Sequence, residues 1–196
     1  MIWTDRIRQV KILLVVAAVL IAVASLVVSH YLVRDLATEE QHRMEVWAEA
    51  MRSLNTADEH TDLSLVLKVI NENNTIPVVV LDANGNPELF RNVQVDGANY
   101  EDSLANAGKL GHSWLAKGKN IKIQLNASAK EYIQVCYDES LLIKRLSLYP
   151  MVQLGVVLIF VVVAIFALLT SKKAEQNKVW VGLSKETAHQ LGTPIS

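Results

Sequence analysis

Two apolar runs of membrane-spanning length constrain this 196-residue chain more than any other feature. Between Ile12 and Val28 the only polar residue is Ser25, and between Met151 and Leu169 the only strongly polar one is Gln153. A helix rises 1.5 Å per residue, so about 20 residues cross a hydrocarbon core about 30 Å thick. Counted from Val10 to Val33 and from Met151 to Thr170, both runs reach that length. A wholly soluble globular protein is excluded. With 51% hydrophobic and 20% charged residues, disordered, collagen-like and nucleic-acid-coating classes are excluded as well.

Between the runs lie 117 residues, 34–150, enough for one small domain and too few for two. This segment carries 12 Lys and Arg against 17 Asp and Glu, a net −5, whereas 1–11 and 171–196 are each net +2. The bias predicts cytoplasmic ends and an exported middle, although Arg34, Lys144 and Arg145 beside the runs weaken it. The expected organisation is a cytoplasmic N-terminus (1–9), a first span (10–33), an exported domain (34–150), a second span (151–170) and a cytoplasmic helix from 171 to 196. Cys136 is the single cysteine, so an internal disulfide is impossible and packing alone holds the domain. Arg6, Arg8 and Lys11 before an apolar stretch ending Ala22-Val23-Ala24 also fit a cleavable signal peptide. Leu26 to Val28 and Tyr31 to Val33 carry the apolar pattern past that point, which favours a retained anchor.

Beyond the first run, Leu36, Met44, Trp47, Met51 and Leu54 recur at helical intervals among charged residues, so the spanning helix is expected to continue as a rod. Asp62 or Thr61 is placed to cap a short helix over Leu63 to Ile70, ended by 71–75. The run Ile76 to Leu81, the turn Asp82-Ala83-Asn84-Gly85-Asn86-Pro87 and the stretch Glu88 to Val95 predict a hairpin. Ser103 to Leu115 is expected to be helical despite Gly108 and Gly111. Alternation over Ile121 to Leu125 and Ile133 to Tyr137 predicts a second strand pair, and Glu139 to Tyr149 a helix leading into the second span.

This order of helix, helix, hairpin, helix, hairpin, helix, with its Asp82 to Gly85 turn, resembles the small α+β sensor modules of the PAS and Cache type. The resemblance implies an α+β membrane protein in which an antiparallel sheet flanked by helices sits between two transmembrane helices.

The final stretch, Leu183-Ser184-Lys185-Glu186-Thr187-Ala188-His189-Gln190-Leu191-Gly192-Thr193-Pro194-Ile195-Ser196, closely resembles the phosphoacceptor box of sensor histidine kinases of bacterial two-component systems. In that family a histidine is followed four residues later by Thr or Asn and then by Pro. The box lies on a cytoplasmic helix after a membrane span that follows an exported sensor domain. The resemblance implies a homodimeric inner-membrane kinase with a periplasmic sensor domain, which autophosphorylates His189 with ATP and Mg and passes the phosphate to a response regulator. It assigns Thr193 to positioning the hydrolytic water. A membrane, a second copy, a response regulator and an unidentified periplasmic ligand or protein are the implied partners. No nucleic acid is expected.

The residues make chemical sense without the name. Trp180, Leu183, Thr187 and Leu191 form one helical stripe, and His189 stands about 200° from Thr187 and Leu191 at 100° per residue. Such a histidine points away from the packed stripe, where a neutral imidazole is a competent nucleophile. Pro194 cannot donate to the carbonyl of Gln190, so the helix is expected to bend just past the histidine. Family members often carry a carboxylate after the histidine, where this chain has Gln190. An amide orients the ring without absorbing its developing positive charge. Glu186, three residues before His189, is within helical reach to supply that charge, although an exposed Glu is ordinarily only solvated. The plain alternative for His189 itself is an ordinary surface histidine.

Eighteen residues, 171–188, separate the second span from His189, so the span is expected to join the phosphotransfer helix directly. Lys172 and Lys173 read as interface anchors, and Gly182 as a tolerated defect or a joint. No glycine-rich phosphate cradle is visible, so the ATP-binding domain is expected after Ser196 and this stretch alone is not expected to bind ATP.

Other candidates are bland. His42, His60 and His112 lie in the exported segment near Asp58, Glu59 and Asp62, but scattered histidines are ordinarily surface residues and no metal is expected. Asn73-Asn74-Thr75 and Asn126-Ala127-Ser128 match a glycosylation acceptor pattern, which is frequent by chance. Trp114, Tyr132 and Tyr137 read as core rather than a ligand cage. The rival function is a non-enzymatic two-span envelope anchor or assembly protein with a partner-binding exported domain.

Overall fold

The computed structural model describes residues 2–128 and 130–192, with the side chains of 2–4, 175 and 188–191 outside the described set. The elements are α1 (Ile2–Asn55), α2 (Ser64–Glu72), β1 (Val78–Leu81), β2 (Pro87–Arg91), α3 (Tyr100–Ala116), β3 (Asn120–Gln124), β4 (Tyr132–Tyr137) and α4 (Leu141–Leu191). Their order is the one that periodicity predicts. The chain divides into two compact units, one of 1–28 with 149–196 and one of 29–148.

In the unit 29–148 a four-stranded antiparallel sheet has the order β2-β1-β4-β3. Strand β1 is central and all four of its residues are buried, which is why its sequence is a continuous apolar run instead of an alternating one. Val78 and Val80 join Ile123, Ile133 and Val135 in a core against α1 and α2, while Val79, Leu81 and Cys136 pack with Ala107 and Trp114 of α3. The sheet is therefore covered on both faces.

The stripe Met44, Trp47, Met51 and Leu54 of the rod packs into the subunit's own core, with Met44 0% and Trp47 2% exposed. Leu36 remains exposed. Helix α2 starts one residue later than its pattern suggests. Leu63 occupies the capping position with no side-chain cap, and Asp62 instead accepts from the amide of Ser64 at 2.9 Å. Glu139 lies outside α4, which begins after Ser140, whose Oγ accepts from the amide of Ile143 at 3.3 Å.

Gly108 and Gly111 serve packing, since a Cβ at Gly111 would stand 2.9 Å from Cγ1 of Val79 and one at Gly108 2.8 Å from Cγ of Pro87. They let α3 lie directly on β1 and β2. In the β1–β2 turn, Asp82 accepts from the amides of Asn84 (2.8 Å) and Asn86 (2.7 Å), and Gly85 supplies a φ of +85°.

In the other unit, two helices are long and apolar enough to cross a membrane, α1 in its N-terminal part and α4 through its middle. Leu13, Ile21, Leu158 and Phe166 all point outward. The half-buried side chains form one stripe per helix: Val15, Val19, Ala22 and Leu26 on α1, and Gln153, Val157, Val161, Ala164 and Leu168 on α4. Spacings of three and four are those of two helices packed lengthwise. Ser25 and Gln153, the polar residues that interrupt the two runs, are hydrogen-bonded to each other at 3.4 Å.

Candidate functional site

Two places are candidates for a functional site, and they lie in different units. In 29–148 an open cleft of about 520 Å³ runs between α1 and the segment joining α2 to β1. Met44, Trp47, Val69 and Ile76 line it with apolar surface, and Glu39, His42, Arg43 and Glu72 bring charge to it. Its wall is rigid because Asn73 closes a turn on itself, accepting from the amide of Ile76 at 3.1 Å and donating to the Ile76 carbonyl at 3.0 Å. Arg91 and Asn92 donate to the carbonyl of Asn73 at 2.9 Å each. Asn73 is thus occupied structurally. The rim charges are paired locally, Arg43 with Glu39 at 3.7 Å and Glu72 with Lys68 at 3.9 Å. The cleft offers a preformed apolar floor with a nearly balanced rim, the composition of a small-molecule site. Sequence reasoning missed it, since Met44 and Trp47 stood out only as part of a stripe, and His42, Asn73 and Ile76 for other reasons.

In the same unit, Asp138, just after β4, accepts from Lys119 at 2.7 Å and from Lys144 on α4 at 2.5 Å. Burial raises the carboxyl's pKa, but the bonds from both lysines and the Glu139 amide outweigh it and hold the group down at about 2. Glu40 on α1 accepts from the amide of Ser140 at 3.0 Å. The end of the sheet, α1 and the start of α4 are thereby tied together by charge.

The aromatic residues fall where packing needs them. Trp114 is buried, Tyr137 packs against the core, and Tyr132 carries the Lys122 ammonium 4.0 Å from its ring centroid while donating to the Ala83 carbonyl at 3.3 Å. None lines the cleft. His60 and Asp58 share a local turn, with the His60 amide donating to Asp58 at 3.1 Å. His112 lies instead against Gly85. Among the described residues no group of three or more His, Cys, Asp or Glu side chains gathers to hold a metal ion.

The predicted phosphoacceptor box lies at the end of α4. His189 and Gln190 belong to the helix, their side chains lying outside the described set, and Thr193 and Pro194 lie outside the described residues. Glu186 is exposed one turn before the histidine. Thr187 donates to the carbonyl of Leu183 at 2.6 Å, so its hydroxyl is spent within the helix. Of the apolar stripe, Trp180 and Leu183 are 75% and 61% exposed, leaving it uncovered in a single chain. Helix α4 passes through Gly182 without a break.

No protein-family profile, curated protein or solved structure matches the chain.

Proposed function

We propose that this chain is the sensor and membrane part of a homodimeric sensor histidine kinase of a two-component system, in the inner membrane of a bacterium. Residues 34–150 form a periplasmic PAS- or Cache-like domain, and His189 is the phosphoacceptor. The observation that carries this reading is the continuity of α4, a single helix that starts at Leu141, just after the lysine-paired Asp138, and runs through an apolar stretch to the box around His189. The exposed stripe at Trp180 and Leu183 supports a second copy of the helix alongside. The cleft supports a small periplasmic ligand, whose differential affinity for two arrangements of the domain would bias the presentation of His189.

On this reading ATP and Mg would be held by a separate ATP-binding domain, which would supply the γ-phosphate to the ring nitrogen of His189. On this chain Gln190 would orient the imidazole and Glu186 would face the same side of the helix. Thr193 would position water for dephosphorylation.

The test is incubation of the longer native protein, in membranes, with labelled ATP. Acid-labile label on the wild type that disappears in His189→Gln, with insertion intact, is the expected result. Equal labelling of both would overturn the assignment, and a native gene without an ATP-binding domain would favour an envelope anchor instead. Gln190→Glu is expected to raise the labelling rate if charge at the ring is limiting.

A further inference from the structure

Gln153 is the one strongly polar residue of the second apolar run, and both ends of its amide are spent on the first. Its Nε2 donates to the main-chain carbonyl of Ala22 at 3.4 Å, and its Oε1 accepts from Ser25 Oγ at 3.4 Å. The Ala22 carbonyl already serves its own helix and uses its second lone pair here. Farther along, the helices meet through apolar side chains around a pocket of about 250 Å³ lined by Leu14, Val15, Ala164, Ala167 and Leu168, with Lys11 beside it.

Apolar stripes at this spacing do not by themselves choose a register. Sliding α4 by one turn, about 5.4 Å, sets Val157 and Val161 against equivalent hydrocarbon on α1. The same slide withdraws the Gln153 amide from Ser25 and Ala22 and leaves it in a medium that offers neither donors nor acceptors. Polarity, rather than packing, then distinguishes the registers.

We propose that Gln153 is a register pin, seated on Ser25 and the Ala22 carbonyl, that selects one sliding position of the two spans within a subunit. The inference rests on the reading of α1 and α4 as membrane spans and does not need phosphate chemistry at His189. Where the chain signals, the pin defines the resting position from which a ligand must displace α4. Interhelical hydrogen bonds inside membranes are modest, so losing the pin changes the ratio of registers by about threefold and at most about twentyfold.

The test is disulfide crosslinking of the full chain in native membranes, in a Cys136→Ala background. Val15→Cys is combined in turn with Val161→Cys, Ala164→Cys and Leu168→Cys, and the yields are compared. With Gln153 present one pair is expected to dominate. In Gln153→Leu the yield is expected to move about threefold or more toward a pair one turn away, and Ser25→Ala should shift it less in the same direction. Unchanged yield ratios in both variants would overturn the pin. If Gln153→Leu does not accumulate, Ser25→Ala together with Gln153→Asn decides by the same ratios. Release of the wild-type chain from membranes by carbonate would instead count against the spanning reading itself, a failure visible before any crosslink is read.

Discussion

The indole Nε1 of Trp47 donates to the main-chain carbonyl of Ile70 at 3.2 Å, inside a contact that water does not reach. Ile70 lies in the last turn of α2, where carbonyls have no partner within their own helix, so a side chain on α1 completes the end of α2. This bond commits the apolar stripe of α1 to its own domain.

Trp47→Phe should keep most of the packing and strand the Ile70 carbonyl, costing about 1–3 kcal/mol, whereas Trp47→Ala should cost about 3–5 kcal/mol. Thermal unfolding of the detergent-solubilised chain measures both. A Trp47→Phe variant as stable as the wild type would show that the hydrogen bond contributes nothing.

Asp138 should make the domain acid-sensitive. Its carboxyl falls from an ordinary value of 3.8 to about 2, the bonds from Lys119 and Lys144 outweighing the effect of burial, and its side chain is only 14% exposed. A depressed carboxyl stabilises the fold above its unfolded pKa and loses that contribution as pH drops through the folded value. The shift corresponds to about 2 kcal/mol, present above about pH 4 and lost between about pH 4 and pH 2. Asp138→Asn should flatten the stability profile across that window, which unfolding at a series of pH values reads directly.

Gly111→Ala should destabilise by about 1–3 kcal/mol, because the added methyl meets the branched side chain of Val79 on the buried strand β1 at 2.9 Å. Combining it with Val79→Ala should recover part of the loss. A double variant as unstable as the sum of the singles would remove the steric explanation.

Cys136 should be inert in the folded chain. It is fully buried in β4, and burial pushes its thiol up to about 11, so little thiolate forms at neutral pH. Maleimide should label it only after denaturation. Rapid labelling under native conditions would show that the sheet opens locally at β4.

Much of this architecture was legible along the chain. The two membrane-length apolar helices, the alternation of helical and strand periods and the Asp82 turn are properties of neighbouring residues, and local periodicity and chemistry express them directly. The stripe from Met44 to Leu54 was legible too, but not its destination. A stripe states that a face needs cover, and what covers it depends on segments far away in sequence.

The sequence by itself determined which elements form and where the membrane-length helices lie, because hydropathy and period are set residue by residue. Tertiary structure alone decided the strand order β2-β1-β4-β3, the cleft between α1 and α2, the use of Gly108 and Gly111 as contact points and the pairing of Gln153 with Ser25. Each of these joins residues distant along the chain. Such pairings are chosen by the packing and hydrogen-bond energy of the whole unit, which no local pattern contains.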